Sequence, residues 1–181
     1  GFKWIARAPG LGFGYEEAIG FCPDPAHVRD KDGIATSVVA ASLVAALKAQ
    51  GRSVWDELER LARLHGLHVS SPLTFRVEEI EQIASGMARL RAQPPSVLAG
   101  SPVVEVSDLS QGYRGLPPTD GILVLTEAGD RVIARPSGTE PKLKCYLEVI
   151  LPVAEGEPLP WEQARERLDA IKAAFAEIIG L

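Results

Sequence analysis

Arg135-Pro136-Ser137-Gly138-Thr139-Glu140-Pro141-Lys142-Leu143-Lys144 gathers, within one short stretch, the groups that an oxyanion needs. The Arg135 guanidinium can fork onto two oxygens. Ser137 and Thr139 each offer a hydroxyl donor, and Gly138 lets backbone amides approach closely. Lys144 or Lys142 can add charge. A phosphate monoester is the ligand that these residue types suit, and a polar turn rich in proline and glycine is the competing reading.

A second group lies near the start of the chain. Glu16 and Glu17 are adjacent in Phe13-Gly14-Tyr15-Glu16-Glu17-Ala18-Ile19-Gly20-Phe21. Successive strand residues face opposite sides, so both carboxylates cannot enter one dry face and at least one is predicted to be exposed. Either they mark a strand end in water, or one accepts hydrogen bonds from sugar hydroxyls. In Asp30-Lys31-Asp32-Gly33, Asp30 or Asp32 is predicted to cap the apolar helix that follows. Capping leaves Lys31 unexplained, because a lysine at a helix N-terminus opposes the dipole; it is either solvated or faces an anion.

These groups must be held by elements that the hydrophobic pattern outlines. Gly1 to Ile5 reads as the edge of a strand. Ile34, Val38, Ala41 and Ala45 mark a helix ending near Gly51. Trp55, Leu58, Leu61 and Ala62 mark a second, ending at Gly66, and Val77, Ile80, Ile83, Ala84, Met87 and Leu90 a third. These stripes are expected to be core. Val69 to Val77 is a strand candidate containing Pro72, and Gln93-Pro94-Pro95-Ser96 a hinge. In the second half, 103–106, 121–125, 131–134 and 143–150 read as strands, with Glu127-Ala128-Gly129-Asp130 as a hairpin loop. Ala164, Leu168, Ile171, Phe175 and Ile178 then form one face of a helix from about Pro160 to Ile179. The stretch at 135–144 thus falls between two strands, in a mostly antiparallel sheet backed by a helix.

Composition narrows the function classes. A chain of 181 residues, 46% apolar, can bury one large core or two small ones. A net charge of −5 without a long Lys/Arg block argues against nucleic acid. Cys22 and Cys145 stand far apart, outside any metal spacing, and are expected to be buried thiols in a reducing compartment. His27, His65 and His68 have no metal-ligand spacing either. The longest weakly polar run, Ile34 to Leu47, is too short for a membrane span. The chain opens without methionine on what reads as a strand edge, so its first domain is expected to lack its beginning.

Arg-Pro-Ser-Gly-Thr-Glu-Pro-Lys at 135–142 resembles the phosphate-binding loop in the last domain of the α-D-phosphohexomutases, the phosphoglucomutase and phosphomannomutase family. Gly-Phe-Lys-Trp at the start, Gly-Tyr-Glu-Glu-Ala-Ile-Gly-Phe at 14–21 and Lys-Asp-Gly at 31–33 are similar to that family's third domain. The resemblance implies that residues 1–99 are an incomplete α/β third domain, a sheet with flanking helices. It implies that residues 100–181 are a small α+β fourth domain, with a mostly antiparallel four-stranded sheet and a C-terminal helix.

It also implies roles. Arg135, Ser137, Gly138 and Thr139 hold the phosphate not being transferred, with added charge from Lys144 or Lys142. Glu16, in a loop shared with Glu17, reads sugar hydroxyls; Gly1 and Lys3 belong to another substrate loop, and Lys31 matches a catalytic lysine near the active centre. Ala18 departs from the serine of many relatives, at a position where that serine would make a second sugar contact. The implied reaction interconverts hexose 1-phosphate and hexose 6-phosphate through a hexose 1,6-bisphosphate, with Mg2+ as cofactor, in a cytoplasmic enzyme. The family's Ser-His-Asn and Asp-Gly-Asp elements, which carry the phosphoserine and the metal, occur nowhere in the 181 residues. The chain is therefore expected to bind no metal, to need the missing N-terminal domains of the same protein as partners, and to be inactive alone. The competing readings are a non-catalytic sugar-phosphate binding module, and the related phosphopentomutases or phosphoglucosamine mutases.

Overall fold

The computed structural model of the chain describes residues 2–17, 19–138 and 140–180. Its packing divides into two compact units, Gly1–Arg60 and Leu61–Leu181.

The first unit opens with a short helix, α1 (Phe2–Ile5), followed by β1 (Gly14–Glu16), β2 (Gly20–Cys22) and α2 (Gly33–Ala49). The opening residues are thus helical rather than a strand edge, and Phe2 is buried. β1 and β2 pair antiparallel, Gly14 opposite Cys22. Asp32 caps α2, its Oδ1 accepting from the Ala35 amide at 2.9 Å, which satisfies a donor that the first helical turn leaves free. Gly51 ends the helix region with φ +71°, a conformation that favours glycine. Helix α3 (Val54–His65) then runs across the division between the units.

The apolar stripes of α2 and α3 are not core. Ile34 is 85% exposed and Trp55 77%, while Leu47 is the buried residue of α2 and Ala62 that of α3. A two-stranded ribbon is the sheet of this unit, and it offers too little surface to cover a helix that is apolar on every side.

The second unit holds β3 (Leu67–Arg76), α4 (Ile80–Ala92), β4 (Val97–Leu98), β5 (Ser101–Asp108), β6 (Ile122–Thr126), β7 (Arg131–Pro136), β8 (Lys142–Leu151) and α5 (Trp161–Ile179). The sheet has six strands in the order β3-β8-β7-β6-β5-β4, not four, and every pairing is antiparallel. The difference comes from β3 and β4. β3 pairs along its whole length with β8, from Leu67 opposite Leu151 to Arg76 opposite Lys142, and β4 forms a hairpin with β5. Residues 61–99, grouped with the first half by sequence, therefore pack in this unit. Pro72 is tolerated because β3 is an edge strand, where a missing amide leaves no ladder bond unmade.

One face of the sheet is dry. Val132, Ala134, Leu143, Cys145, Leu147 and Val149 alternate onto it and meet Ile83, Met87 and Leu90 of α4 and Leu168, Ile171 and Phe175 of α5. The opposite face carries the intervening residues, among them Arg135, Lys144 and Tyr146.

Candidate functional site

Residues 137–141 join β7 to β8, so the stretch that could bind an anion sits on a hairpin at one end of the sheet. Arg135 is paired with Lys144, and directly paired residues in an antiparallel ladder share a face, so both cations project from the open side. The turn is tightened by the Ser137 amide donating to the Lys142 carbonyl at 2.8 Å. Arg135, Pro136, Ser137, Gly138, Lys144 and Tyr146 line an open cleft of about 130 Å³. Among the described residues the Arg135 and Lys144 side chains have no carboxylate within ion-pair range. Elsewhere in the unit Arg91, Arg131 and Arg167 are each paired with a carboxylate. Two unpaired cations and a serine hydroxyl thus line one cleft, a set of donors whose chemistry suits an anion.

Lys142 is engaged by Glu140. That contact, first among its causes, holds the Glu140 carboxyl below the usual glutamate range, with smaller help from Lys144 and Arg76. Lys144, not Lys142, is the lysine that lines the cleft. Gly138 needs no unusual backbone angle and its position is open, so no steric demand for glycine arises there. Thr139 and Gly1 lie outside the described residues, as does Ala18.

In the first unit Glu16 and Lys31 are brought together: Lys31 Nζ pairs with Glu16 Oε1, with the Glu16 side chain only 18% exposed. The lysine that opposes the α2 dipole thus faces an anion, and it is Glu16. Glu17 is exposed, so of the two adjacent carboxylates one is sheltered and one meets solvent. Lys3 is exposed on α1 with its ammonium 5.6 Å from the Trp4 ring; Glu16 and Lys31 form the constellation in this unit.

Two contributors were not singled out from the sequence. Tyr146 enters the cleft because it lies two residues beyond Lys144 on the same face of β8, a spacing legible once β8 is known to be a strand. Gly20 is required by space. A Cβ there would lie 2.5 Å from Glu16 Cγ and 2.9 Å from Lys31 Cε.

Asp30 and Asp32 do not form a metal site. Asp30 Oδ1 accepts from the Lys31 amide at 2.8 Å and Asp32 caps α2. Among the described residues no three His, Cys, Asp or Glu side chains are grouped to hold a metal ion, so the residues present do not fit Mg2+. No single helix among them is long and apolar enough to cross a membrane.

By its fold the second unit is an α+β domain, an antiparallel sheet backed by α4 and α5. Residues 73–159 match the family described as phosphoglucomutase/phosphomannomutase, C-terminal domain. A probable phosphomannomutase of Haemophilus influenzae is 42% identical over 148 residues, covering 82% of this chain and 30% of that protein. A phosphoglucomutase of Staphylococcus haemolyticus is 35% identical over 82% of the chain and 31% of its own length. A phosphopentomutase of Mus musculus is 29% identical, covering 98% and 32%. A crystal structure of parafusin, a phosphoglucomutase from Paramecium, in an open form, superposes with TM-score 0.66 over 99% of this chain and 33% of that one; at 18% identity it shows the fold alone. The chain belongs to the phosphoglucomutase/phosphomannomutase family and carries its C-terminal domain. It spans about a third of the length of these relatives.

Proposed function

We propose that this chain is the sugar- and phosphate-holding part of a phosphohexomutase, which interconverts hexose 1-phosphate and hexose 6-phosphate through a bound bisphosphate. The observation that carries the reading is the cleft where Arg135, Ser137 and Lys144 converge, with no carboxylate among the described residues in ion-pair range of either cation. Such a cleft suits the phosphate that is not being transferred. Arg135 forks onto its oxygens, Lys144 adds charge, Ser137 and Thr139 donate hydroxyls, and Gly138 lets backbone amides approach.

Glu16 accepts from sugar hydroxyls, and Lys31, beside it, orients that carboxylate while supplying a positive group close to the reacting sugar. Glu17, Gly1 and Lys3 belong to the same substrate surface. Much of phosphoryl-transfer catalysis is positioning plus electrostatic stabilisation, and these residues supply both to the substrate. The phosphoserine, the Mg2+ site and the N-terminal domains belong to the rest of the protein, and hexose 1,6-bisphosphate is the intermediate that both parts hold. The protein works in the cytoplasm.

The test uses the full-length protein and glucose 1-phosphate. Arg135→Ala is expected to raise KM about tenfold to a hundredfold, the equivalent of one charged hydrogen-bonded contact. Unchanged kinetics in that variant would remove the phosphate role. The 181-residue chain alone is expected to turn over no glucose 1-phosphate.

A further inference from the structure

The open face of the sheet carries a second cavity, over β6 and β7, that the phosphate site does not use. Its volume is about 410 Å³, within the range of small-molecule sites. Leu123, Leu125 and Ile133 form the floor, and Tyr113, Leu116 and Pro117 form a wall contributed by the segment 109–120 that crosses the sheet.

That segment is built to stand where it does. Arg91, near the end of α4, donates to both of its ends, through Nε to Asp108 Oδ2 at 2.9 Å and through Nη2 to Asp120 Oδ1 at 2.5 Å. The Leu109 amide donates to the Gly121 carbonyl and the Thr119 amide to the Leu109 carbonyl, each at 2.9 Å. Ends this close make a closed Ω-type loop, a form that often carries function. Its tip is a tight turn closed by Tyr113 and Leu116, which exchange backbone hydrogen bonds.

At that tip Arg114 is held at φ +47°, a conformation that is strained for a residue with a Cβ. The result is that its guanidinium stands at the mouth of the apolar cavity, 4.9 Å from the Tyr113 ring, with the side chain 71% exposed. Glu105 is the carboxylate beside it, at 3.5 Å, the outer limit of a hydrogen bond. Glu105 is already met by the Ser107 hydroxyl at 2.7 Å. Arg131, the other cation at the rim, is taken by Glu148 at 2.9 Å. Arg114 is thus paired with Glu105 through one long contact, which leaves its other N–H donors directed to the mouth, whereas Arg131 is held by the shorter contact with Glu148.

We infer that this loop-covered cavity binds an amphipathic monoanion, a small molecule with an aromatic or branched aliphatic body seated on Leu123, Leu125 and Ile133 and a single carboxylate held by Arg114. The apolar floor leaves the hydroxyls of a sugar without partners, so sugar phosphates are excluded from it. The cavity shares no lining residue with the cleft at the β7–β8 hairpin.

4-Phenylbutyrate is the probe, titrated into the 181-residue chain labelled at leucine and isoleucine methyls and followed by NMR. Saturable shifts are expected at Leu116, Leu123, Leu125 and Ile133. Binding should weaken about three- to tenfold in Arg114→Asn, a residue that tolerates the same backbone angle, and for the neutral isostere 4-phenylbutanol. Absence of saturable shifts at those methyls would overturn the inference, and so would shifts confined to the exposed leucines of α2 and α3. Equal affinity for the acid and the alcohol would overturn the role of Arg114. The full-length protein should give the same shifts; a response confined to the shorter chain would mean that another part of the same protein fills the cavity, and would overturn the site.

Discussion

Gly20 has no side chain because Glu16 and Lys31 occupy the space that one would need. Its backbone angle makes no demand for glycine, so the constraint is steric and falls on the ion pair. Gly20→Ala is therefore expected to displace the Glu16–Lys31 couple while β1 and β2 stay paired. In the full-length protein KM for glucose 1-phosphate should rise about three- to tenfold with little change in thermal stability, the size of one lost polar contact. Steady-state kinetics beside a melting curve checks this. Wild-type kinetics would mean that the pair can shift without effect.

Cys145 is a free thiol constrained by burial. It is buried in the β7–β8 hairpin, and burial pushes its pKa up to about 12. Only the thiolate reacts, so alkylation by iodoacetamide at pH 8 should be slow until the sheet opens and then fast in denaturant. At this scale the grouping of Arg135, Ser137 and Lys144 on one stretch is legible in the sequence, because guanidinium and hydroxyl chemistry does not depend on the fold. The partner of Lys31 was not. Residues fifteen positions apart meet only once β1 and the start of α2 are in place.

Among the elements, the Ω-type loop depends most on a single residue. Asp108 meets Arg91 first and the Ser110 amide second, and these hold its pKa at about 2, below its ordinary 3.8. A carboxylate whose folded pKa is depressed stabilises the fold above its unfolded pKa, and that contribution is lost as pH falls through the folded value. Hydrogen-exchange protection of the Leu109 and Thr119 amides should therefore be flat from neutrality to about pH 4 and decline between about pH 4 and pH 2. Arg91→Ala should bring the loss to neutral pH, and protection independent of Arg91 would show that the backbone bonds suffice.

The helices and strands of the second unit were largely readable, since Leu143, Cys145, Leu147 and Val149 alternate and Leu168, Ile171 and Phe175 step at helical spacing. What periodicity does not encode is which strand a strand pairs with. β3 looked like part of the first half because it follows α3, yet its partner is β8, and that long-range pairing turns four strands into six with the β4 hairpin. The apolar stripes of α2 and α3 carry the converse lesson. A stripe records that a surface wants cover, and within this chain Ile34 and Trp55 remain in solvent.

Across the whole molecule the two units differ in how much holds them. The second has a continuous core of sheet and two helices, reinforced by a buried ion pair. Asp130 is fully buried, its Oδ2 receiving Arg167 Nη2 at 2.7 Å, Arg167 Nε at 3.0 Å and the Thr126 hydroxyl at 3.0 Å. This pair ties the β6–β7 hairpin to α5. Its Oδ1 has no partner among the described residues, so the charge depends on Arg167 for compensation. Removing one partner of a buried pair leaves an uncompensated charge, at a cost of about 3 kcal/mol or more. Arg167→Met is expected to lower the denaturant midpoint of the second unit by that equivalent, whereas the first unit, with its two-stranded ribbon and solvated apolar helix, should exchange its amides early and show no dependence on the substitution. Urea unfolding followed by hydrogen exchange resolves the two regions. A single transition shared by both, shifted as one by Arg167→Met, would mean that the units fold as one cooperative body.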